Sequence, residues 1–335
     1  MDNIGIIGAG AFGTAMAAVA RRAGRNVTIW AYEPEVVHDI NTNHVNSAFL
    51  KGSDQKGEPL DPAIHATSDL AEVCANDAVF VAVPAQFLRR VVADAAQHWR
   101  PGVPIMTCSK GVELDSCKLM VEVVTDCLGK RAPIACMGGP TFAIEIARGL
   151  PASATVACAD FAVAETLAAA ILSSAFRAYV TTDIIGAQLA GAVKNVLAIA
   201  CGVVLGRGLG DNARAALVTR GIAEMMRIGQ VLGADSKTIM GLAGLGDVVL
   251  TCNAMQSRNF SFGFELGQGK TVEQVLAGRG KTVAEGYFNA RSVTELARRN
   301  QVDMPICLAV EAVLDVGADL DSIIHGLLSR PLTTE

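Results

Sequence analysis

Lys194 is the only charged residue between Asp183 and Arg207, in a run of apolar and small residues long enough for a helix. At about 3.6 residues per turn, Gly191, Lys194 and Gly202 fall on one stripe of that helix. A solvated helix face would carry further charges, so we expect this ammonium to lie in a groove within the fold. Glycine costs about 1 kcal/mol relative to alanine inside a helix. The two glycines therefore predict the close approach of another backbone or of a ligand.

Three further sites carry side chains that could act with this lysine. Lys110 follows a predicted strand, at the kind of position where open α/β sheets place function, although a solvated loop lysine is the alternative. Asp247 ends a glycine-rich run at a predicted helix start, where helix capping is the alternative role. The tripeptide Ser257-Arg258-Asn259 combines a hydroxyl, a guanidinium and an amide, which suits a phosphate, although a surface loop is the commoner setting.

The N-terminal segment carries a dinucleotide-binding pattern. An apolar strand, Ile4–Ile7, leads into a G-x-G-x-x-G turn and then into a helical run. In this pattern Gly8 turns the chain, Gly10 lets a pyrophosphate approach, and Gly13 packs the helix against the strand. The phosphates then lie at the helix N-terminus. A flexible glycine loop is the alternative, but it leaves the flanking periodicity unexplained.

Two other turns could contact the cofactor or the substrate. The second predicted strand ends at Tyr32 and Glu33, where Glu33 could bind the ribose hydroxyls of NAD and repel the extra phosphate of NADP. A solvated carboxylate is the alternative for Glu33, so the choice between NAD and NADP stays open. Gly139 and Thr141 flank Pro140 in a second strand-to-helix turn, whose free N–H groups could hold ligand oxygens. A tight turn without a ligand is the alternative there.

Strand and helix signals alternate up to Thr182, and only helical signals follow. Residues 1–182 are therefore predicted to form an α/β Rossmann domain with a mostly parallel sheet, and residues 183–335 a helical substrate domain. The polar segment Asn41–Pro62 is expected to run over the surface. The predicted strands are Ile4–Ile7, Val27–Trp30, Ala78–Val83, Val103–Thr107, Ile134–Met137, Ser153–Cys158 and Arg177–Val180. The predicted helices are Thr14–Arg22, Gln86–Trp99, Ser116–Cys127, Phe161–Ser173, Asp183–Gly206, Asn212–Leu232, Ser236–Gly241, Phe262–Gly267, Thr271–Ala277, Ala284–Arg299 and Pro305–Val316.

Composition narrows the class of protein. The 335 residues are 51% hydrophobic and 18% charged, which allows two large cores. A net charge of -5 without a basic run argues against nucleic acid or an anionic membrane as a partner. Nine cysteines in apolar context, without C-x-x-C, predict buried thiols in the cytoplasm and no metal site. The stretch around Lys194 could span a membrane by length, but a central lysine costs roughly 3 kcal/mol there, so no insertion is expected.

Seven segments, in this order, resemble the bacterial NAD(P)-dependent glycerol-3-phosphate dehydrogenases: GAGAFGTA, SKGVE, GGPTFA, GAVKNV, GLAGLGDVVLTC, SRNFSFG and AEGY. The resemblance covers nearly the whole chain, and its later blocks are more specific than the glycine fingerprint. It implies a Rossmann domain followed by an all-α domain of the 6-phosphogluconate dehydrogenase type. It also implies NAD or NADP as cofactor, a homodimer, and a product that feeds phospholipid synthesis.

By position, the resemblance makes Lys194 the proton acceptor in glycerol 3-phosphate oxidation, with Lys110 and Asp247 as further catalytic residues. The substrate contacts that it implies are Lys110, Gly139, Thr141, Lys194, Asp247, Ser257, Arg258 and Asn259. With the glycine pattern and Glu33, the cofactor contacts become Gly8, Gly10, Ala11, Phe12, Gly13, Tyr32, Glu33, Lys110, Ala143, Arg258, Val283 and Glu285. Tyr32 and Ala284 depart from the family: Tyr32 stands where a basic or imidazole side chain is common, and Ala284 where valine is usual.

The chemistry of these residues suits hydride transfer, in which the protein manages only the hydroxyl proton. An ordinary lysine has a pKa of about 10.4, so a base at position 194 needs a lowered pKa, which burial and Lys110 would supply. Reduction of dihydroxyacetone phosphate is then expected to be favoured near neutral pH, because it uses the protonated lysine. Asp247 is expected to orient Lys194, and Arg258 to hold the substrate phosphate. The alternatives are a related dehydrogenase of another hydroxy compound and a nucleotide-sensing module without turnover.

Overall fold

An eight-stranded sheet organises the first half of the chain in the computed structural model, which describes residues 1–52, 56–279 and 284–330. The strand order is β3-β2-β1-β4-β5-β6-β7-β8, and every pair is parallel except β6 with β7. The strands are β1 (Asn3–Ile7), β2 (Asn26–Trp30), β3 (Ile64–Thr67), β4 (Ala78–Val81), β5 (Ile105–Thr107), β6 (Ile134–Gly138), β7 (Ala152–Cys158) and β8 (Phe176–Thr181). The order reverses between β1 and β4, where open sheets of this kind form a ligand crevice.

Helices cover both faces of this sheet, and period-two alternation along the strands supplies a core to each face. Ile6 packs into one core and its neighbour Ile7 into the other. The helices are α1 (Ala11–Arg22), α2 (Pro34–His38), α3 (Leu70–Cys74), α4 (Leu88–Ala96), α5 (Met120–Leu128), α6 (Ala143–Ala147) and α7 (Phe161–Ala170). A π-helical turn at Asp39–Asn43 and short 3₁₀ turns at Ala85–Phe87 and Gly129–Arg131 complete this half.

The second half is helical throughout its described part, and a buried central helix organises it. The helices are α8 (Ile184–Gly206), α9 (Gly210–Leu232), α10 (Ser236–Ile239), α11 (Asp247–Thr251), α12 (Arg258–Gly267), α13 (Val272–Ala277), α14 (Glu285–Arg299), α15 (Pro305–Val316) and α16 (Leu320–Leu328). A π-helical turn, Leu242–Gly246, leads into α11. The fold class predicted from the sequence, an α/β part with a mostly parallel sheet followed by an α-helical part, is confirmed.

Helix α8 is long and apolar enough to cross a membrane, but 89% of its most apolar window is buried inside the fold. Asp183 begins it by accepting a hydrogen bond from the Gly186 N–H at 2.8 Å. The close approach predicted at Gly202 is confirmed, because a Cβ there would lie 2.0 Å from the carbonyl oxygen of Phe260 in α12. Helix α12 therefore crosses α8 with the two backbones nearly in contact.

The prediction that Asn41–Pro62 runs over the surface is wrong for part of the segment. Asn46 is fully buried, and Leu50 and Leu60 are nearly so. These side chains join the core on the α1 face of the sheet or bond to its backbone. The segment contains few apolar residues. Its average polarity therefore gave no indication of the residues that are buried.

Several predicted elements differ from the structure at their ends. Helix α5 begins at Met120 and not at Ser116, because Cys117 has a φ of 58° and cannot continue a helix. The helix predicted from Gln86 to Trp99 is instead a 3₁₀ turn followed by α4. Helix α12 begins four residues before the predicted Phe262, because the hydroxyl of Ser257 caps it. Strand β3 and helices α2, α3 and α16 were not predicted. The helix start predicted at Asp247 is confirmed, because α11 begins there.

The nine cysteines are free thiols, eight of them buried and Cys127 partly buried. Within residues 1–52, 56–279 and 284–330, no group of three His, Cys, Asp or Glu side chains is placed to hold a metal ion.

Candidate active site

Two lysines share one buried carboxylate where the sheet meets α8. Lys194 Nζ lies 3.0 Å from Asp247 Oδ1, and Lys110 Nζ lies 2.7 Å from Asp247 Oδ2. Lys194 Nζ also donates to Thr251 Oγ1 at 3.0 Å, and Lys110 Nζ donates to the Gly139 carbonyl at 3.1 Å. The three charged residues that the sequence analysis named as catalytic therefore form one cluster.

Each member of this cluster comes from a different element. Lys194 extends from the middle of α8, and Lys110 from the loop after β5. The stem of Lys110 passes Gly191, where a Cβ would lie 3.4 Å from the Lys110 Cγ. This is ordinary van der Waals contact with a side chain, so the close approach of a backbone or a ligand expected at Gly191 is not found among the described residues. Asp247 is the first residue of α11 and does not cap that helix, and Thr251 lies one turn further on.

The Gly139 turn presents its carbonyl to the cluster. Gly139 has a φ of 129°, and a Cβ there would lie 3.0 Å from the Ala154 Cα, so the turn requires glycine. Its carbonyl oxygen accepts from Lys110 Nζ and from Thr141 Oγ1, the latter at 3.2 Å. The Gly139 carbonyl therefore links Lys110 with Thr141.

Burial and charge act in opposite directions on the ionisable groups. Burial lowers the pKa of Lys194, Asp247 opposes that effect, and Lys110 reinforces it, so the pKa lies below its ordinary value of 10.5. Burial alone would raise the pKa of Asp247, but Lys110 and Lys194 outweigh it, so that pKa is lowered. Burial raises the pKa of Glu285 although Arg258 and Lys194 favour its charged form. Two ammonium groups around one carboxylate leave the cluster with net positive charge, which suits an anionic substrate.

Both ammonium groups keep one N–H for a ligand. A lysine ammonium has three donors, and the described residues engage two on each: Asp247 and Thr251 for Lys194, Asp247 and Gly139 for Lys110. The hydroxyl of Thr251 donates to Asp247 Oδ1 at 3.0 Å. Each lysine can therefore donate one further hydrogen bond to a ligand.

A network of amides holds the surrounding helices together. Asn259 Nδ2 donates to Asn195 Oδ1 at 2.8 Å, and the Gly286 N–H donates to Asn259 Oδ1 at 2.9 Å. Asn289 Nδ2 donates to the Lys110 carbonyl at 3.2 Å. These bonds join α8, α12 and α14 and fix the backbone from which Lys110 extends.

The predicted phosphate tripeptide divides into two kinds of residue. Ser257 is buried and its Oγ accepts from the Phe260 N–H at 3.2 Å, while the Asn259 side chain is bonded within the amide network. Arg258 is exposed at the first position of α12. Of the three, Arg258 is the side chain whose position leaves it accessible to a ligand.

The glycine turn before α1 fits a dinucleotide. Gly8 has a φ of 108°, and a Cβ at Gly13 would lie 1.8 Å from the Gly8 carbonyl oxygen, so both positions require glycine. A Cβ at Gly10 would meet no atom within 4 Å, which is the open space that a pyrophosphate needs. No side chain caps α1, so its first N–H groups remain for phosphate oxygens.

The other expected cofactor residues lie on several elements. Ala11 and Phe12 form the first turn of α1, and Ala143 begins α6, which packs against α1. Tyr32 is 73% exposed just beyond β2, edge-on to Trp30 with ring centroids 6.3 Å apart. Glu33 stands at the N-cap position of α2, Glu285 begins α14, and Val283 lies outside the described residues.

Sequence reasoning missed four polar residues that the structure places at these sites. Thr251 lies four residues after Asp247, and that helical spacing was a usable signal. Asn195 directly follows the lysine of α8, on a neighbouring part of the same helix surface. Asn289 and Asn46 bond to groups of the site that are distant in sequence, so no local pattern marked them.

Comparison with known proteins supplies the family. The models of the N-terminus and C-terminus of NAD-dependent glycerol-3-phosphate dehydrogenase match residues 3–164 and 183–325. Two proteins named glycerol-3-phosphate dehydrogenase (NAD(P)+) are similar over 100% of this chain. The one from Rhodospirillum rubrum is 54% identical, and the match covers 94% of that protein. The one from Caulobacter vibrioides is 51% identical, and the match covers 99% of that protein. A crystal structure of glycerol-3-phosphate dehydrogenase from Coxiella burnetii, 35% identical, superposes with a TM-score of 0.92 and covers 98% of this chain and 99% of its own. The resemblance found in the sequence is confirmed, and the chain belongs to the NAD(P)-dependent glycerol-3-phosphate dehydrogenase family.

Proposed function

We propose that this protein transfers hydride reversibly between NAD(P)H and dihydroxyacetone phosphate, giving sn-glycerol 3-phosphate. The observation that carries the proposal is the buried cluster in which Lys194 and Lys110 bond opposite oxygens of Asp247, at 3.0 and 2.7 Å. Family membership sets the substrate, and the cluster provides the proton chemistry that the reaction needs. By this assignment the product is a precursor for phospholipid synthesis.

The glycine turn is the proposed cofactor site. When bound, the nicotinamide nucleotide supplies the hydride for reduction or accepts it in oxidation. The uncapped start of α1 holds the pyrophosphate, and Tyr32 and Glu33, just past the end of β2, hold the adenosine side. The residues proposed to contact the cofactor are Gly8, Gly10, Ala11, Phe12, Gly13, Tyr32, Glu33, Lys110, Ala143, Arg258, Val283 and Glu285.

Lys194 is the proposed acid in the reducing direction and the base in the oxidising direction. Its remaining N–H donates to the carbonyl oxygen of dihydroxyacetone phosphate, and the proton transfers as that oxygen becomes an alkoxide. Lys110 donates a second hydrogen bond to the same region of the substrate. Asp247 holds both ammonium groups in place and raises the pKa of Lys194 against the effect of burial. In oxidation, neutral Lys194 accepts the hydroxyl proton.

Arg258 is the proposed ligand of the substrate phosphate. Its exposed guanidinium at the start of α12 can donate two parallel hydrogen bonds to a phosphate. Ser257 supports it through the helix cap and Asn259 through the amide network, and both are proposed substrate contacts. Gly139 and Thr141 contact the substrate from the sheet side.

Four wider assignments belong to the same proposal. The domains divide at residue 182, between β8 and α8, which agrees with the gap between the two matched family regions. The protein is a homodimer, for which the exposed side chains of Leu205 and Leu209 offer apolar contact area. It is cytoplasmic, in keeping with nine free thiols, and it is not inserted in a membrane. Light scattering at micromolar concentration tests the dimer.

The deciding experiment follows the oxidation of NADH and of NADPH in parallel, with dihydroxyacetone phosphate as the only substrate. If the wild type turns over and Lys194→Ala does not, the result supports both the proposed reaction and the role of Lys194 as its acid. The ratio of the NADH and NADPH oxidation rates gives the cofactor preference. Turnover only with other hydroxy compounds would reassign the substrate. Cofactor binding without turnover on any of them would make the protein a nucleotide sensor.

A further inference from the structure

Asn46 is a fully buried asparagine whose amide reaches the glycine turn from outside it. Asn46 Nδ2 donates to the Ala9 carbonyl oxygen at 2.8 Å and to Thr14 Oγ1 at 2.8 Å. Ala9 lies between the first two glycines of the turn, and Thr14 lies in the first turns of α1. The Asn46 amide therefore bonds both to the glycine turn before α1 and to the first turns of α1 itself.

The orientation of this amide is fixed by its other contacts. The Phe49 N–H donates to Asn46 Oδ1 at 3.1 Å, so the oxygen faces its own segment and the NH₂ group faces the turn. Because the Ala9 carbonyl can only accept, the reverse orientation would place two acceptors together. The segment itself is held by Asp39, whose Oδ2 accepts from the N–H and the hydroxyl of Ser47 at 2.8 and 2.7 Å. Asn46 is thus a rigid donor aimed at the turn.

The bond to Ala9 determines where the next backbone N–H points. In a planar trans peptide the C=O and the following N–H point in opposite directions. Holding the Ala9 carbonyl against Asn46 therefore turns the Gly10 N–H away from Asn46. Among the described residues, that N–H has no hydrogen-bond partner, and the space beside Gly10 is open. A free N–H at a helix start, on a residue whose Cβ side is open, is suited to a phosphate oxygen.

We propose that Asn46 is a positioning residue for the cofactor: by holding the Ala9 carbonyl and Thr14, it keeps the Gly10 N–H directed at the pyrophosphate. This inference rests on the proposed role of the glycine turn as the pyrophosphate site. The inference gives a function to the polar segment Asn41–Pro62, which the sequence analysis interpreted only as a surface segment. Asn46 acts through the turn and does not touch the substrate.

The test compares Asn46→Ala with Asn41→Ala in the full-length protein. Asn41 is the matched control, because its side chain also makes two backbone hydrogen bonds, both of 2.8 Å, but to Ala66 in β3. The readouts are the Kd for NADH by fluorescence titration, and KM for dihydroxyacetone phosphate and kcat at saturating NADH. We expect Asn46→Ala to raise the Kd about tenfold, the loss of roughly one well-placed hydrogen bond, with KM and kcat within about twofold. Asn41→Ala should leave all three within about twofold.

A second variant covers the case in which the alanine protein fails to fold. Asn46→Asp keeps the size and the acceptor for the Phe49 N–H but loses the donor to Ala9. It should weaken NADH binding at least as much, because its carboxylate then faces a carbonyl and lies near the pyrophosphate. If Asn46→Asp, and Asn46→Ala where it folds, bind NADH as the wild type does, the proposal is overturned. A lower melting temperature with an unchanged Kd would assign Asn46 a purely structural role and overturn it equally.

A third variant, Gly10→Ala, tests the assignment of the glycine turn as the pyrophosphate site independently of the role of Asn46. Gly10 has a φ of -68°, which alanine adopts freely, and the added Cβ meets no protein atom within 4 Å. The variant should fold normally and lose NADH affinity, because the methyl group occupies the space of the pyrophosphate. If Gly10→Ala weakens NADH binding and the Asn46 variants do not, only the role of Asn46 is wrong. If Gly10→Ala binds NADH normally, the assignment of the turn is wrong.

Discussion

Lys194 and Asp247 form a buried ion pair, with Nζ 3.0 Å from Oδ1 and side chains that are 10% and 2% exposed. Burial favours a neutral lysine, whereas the carboxylate favours a charged one. Lys194 therefore releases its proton more easily than a solvated lysine does. Asp247, a fixed acceptor, still orients its ammonium group. Lys110 bonds the second carboxylate oxygen, so Asp247 stays paired even when Lys194 gives up its proton.

Lys194→Ala should lower kcat for dihydroxyacetone phosphate reduction by about 10²–10⁴-fold, the usual contribution of a positioned proton donor. The protein should still fold, because Lys110 continues to pair with Asp247. Steady-state kinetics and a parallel NADH titration measure the effect, and the NADH affinity should change little. Lys237→Ala, on the exposed surface of α10, is the matched control. Retention of more than about a tenth of wild-type kcat in Lys194→Ala would exclude this lysine as the acid.

The two reaction directions should show opposite pH limbs. Reduction needs protonated Lys194, so its kcat should fall as pH rises through the lowered pKa, below 10.5. Oxidation needs the neutral form, so its kcat should rise with pH. Asp247→Asn removes the charge that raises this pKa, and both limbs should then move to lower pH. Rate measurements across pH in both directions test this, and a shift to higher pH would contradict the assigned pairing.

Thr251→Val should lower kcat/KM by about tenfold, because it removes a hydrogen-bond partner of both Lys194 and Asp247 in a buried site. Thr251→Ser keeps the hydroxyl and should stay within about twofold of the wild type. Kinetics at fixed, saturating NADH measure both variants. Equal losses in the serine and valine proteins would point to packing of the methyl group and not to the hydrogen bonds.

Arg258→Lys should raise KM for dihydroxyacetone phosphate about tenfold or more, because lysine cannot make the paired hydrogen bonds of a guanidinium. Residual activity on dihydroxyacetone, which lacks the phosphate, should not change. The ratio of kcat/KM for the two substrates therefore isolates the phosphate contact. Arg90→Lys, on the exposed surface of α4, is the control. An unchanged KM in Arg258→Lys would remove the phosphate assignment.

The elements that carry strong periodic patterns were predictable from the sequence. The helix around Lys194 was expected from Asp183 to Gly206 and is found at Ile184–Gly206 with Asp183 as its cap. The meeting of Lys194 with Lys110 and Asp247 needed more than periodicity, because no local pattern links residues 84 and 53 positions from Lys194. The family resemblance supplied that link.

The residues that the sequence analysis missed make hydrogen bonds to parts of the site that are far away in the sequence. Asn46 lies 37 residues from Ala9 along the chain, in a segment whose average polarity indicated a surface loop. Strand β3 follows that segment and is only four residues long, too short for a convincing alternating pattern. Burial of one asparagine depends on what packs around it, and a single sequence does not contain that information directly.

Gly202→Ala should destabilise the protein, because its Cβ would lie 2.0 Å from the Phe260 carbonyl oxygen where α8 and α12 cross. Overpacking of this kind costs about 1–3 kcal/mol, and the neighbour here is backbone that moves little. Gly326→Ala in α16 is the matched control: a Cβ there meets no atom within 4 Å, so alanine should be neutral or stabilise by up to about 1 kcal/mol. Urea denaturation of both variants measures the difference. A Gly202→Ala protein as stable as the wild type would mean that the two helices can separate without cost, and the close crossing would then not explain this glycine.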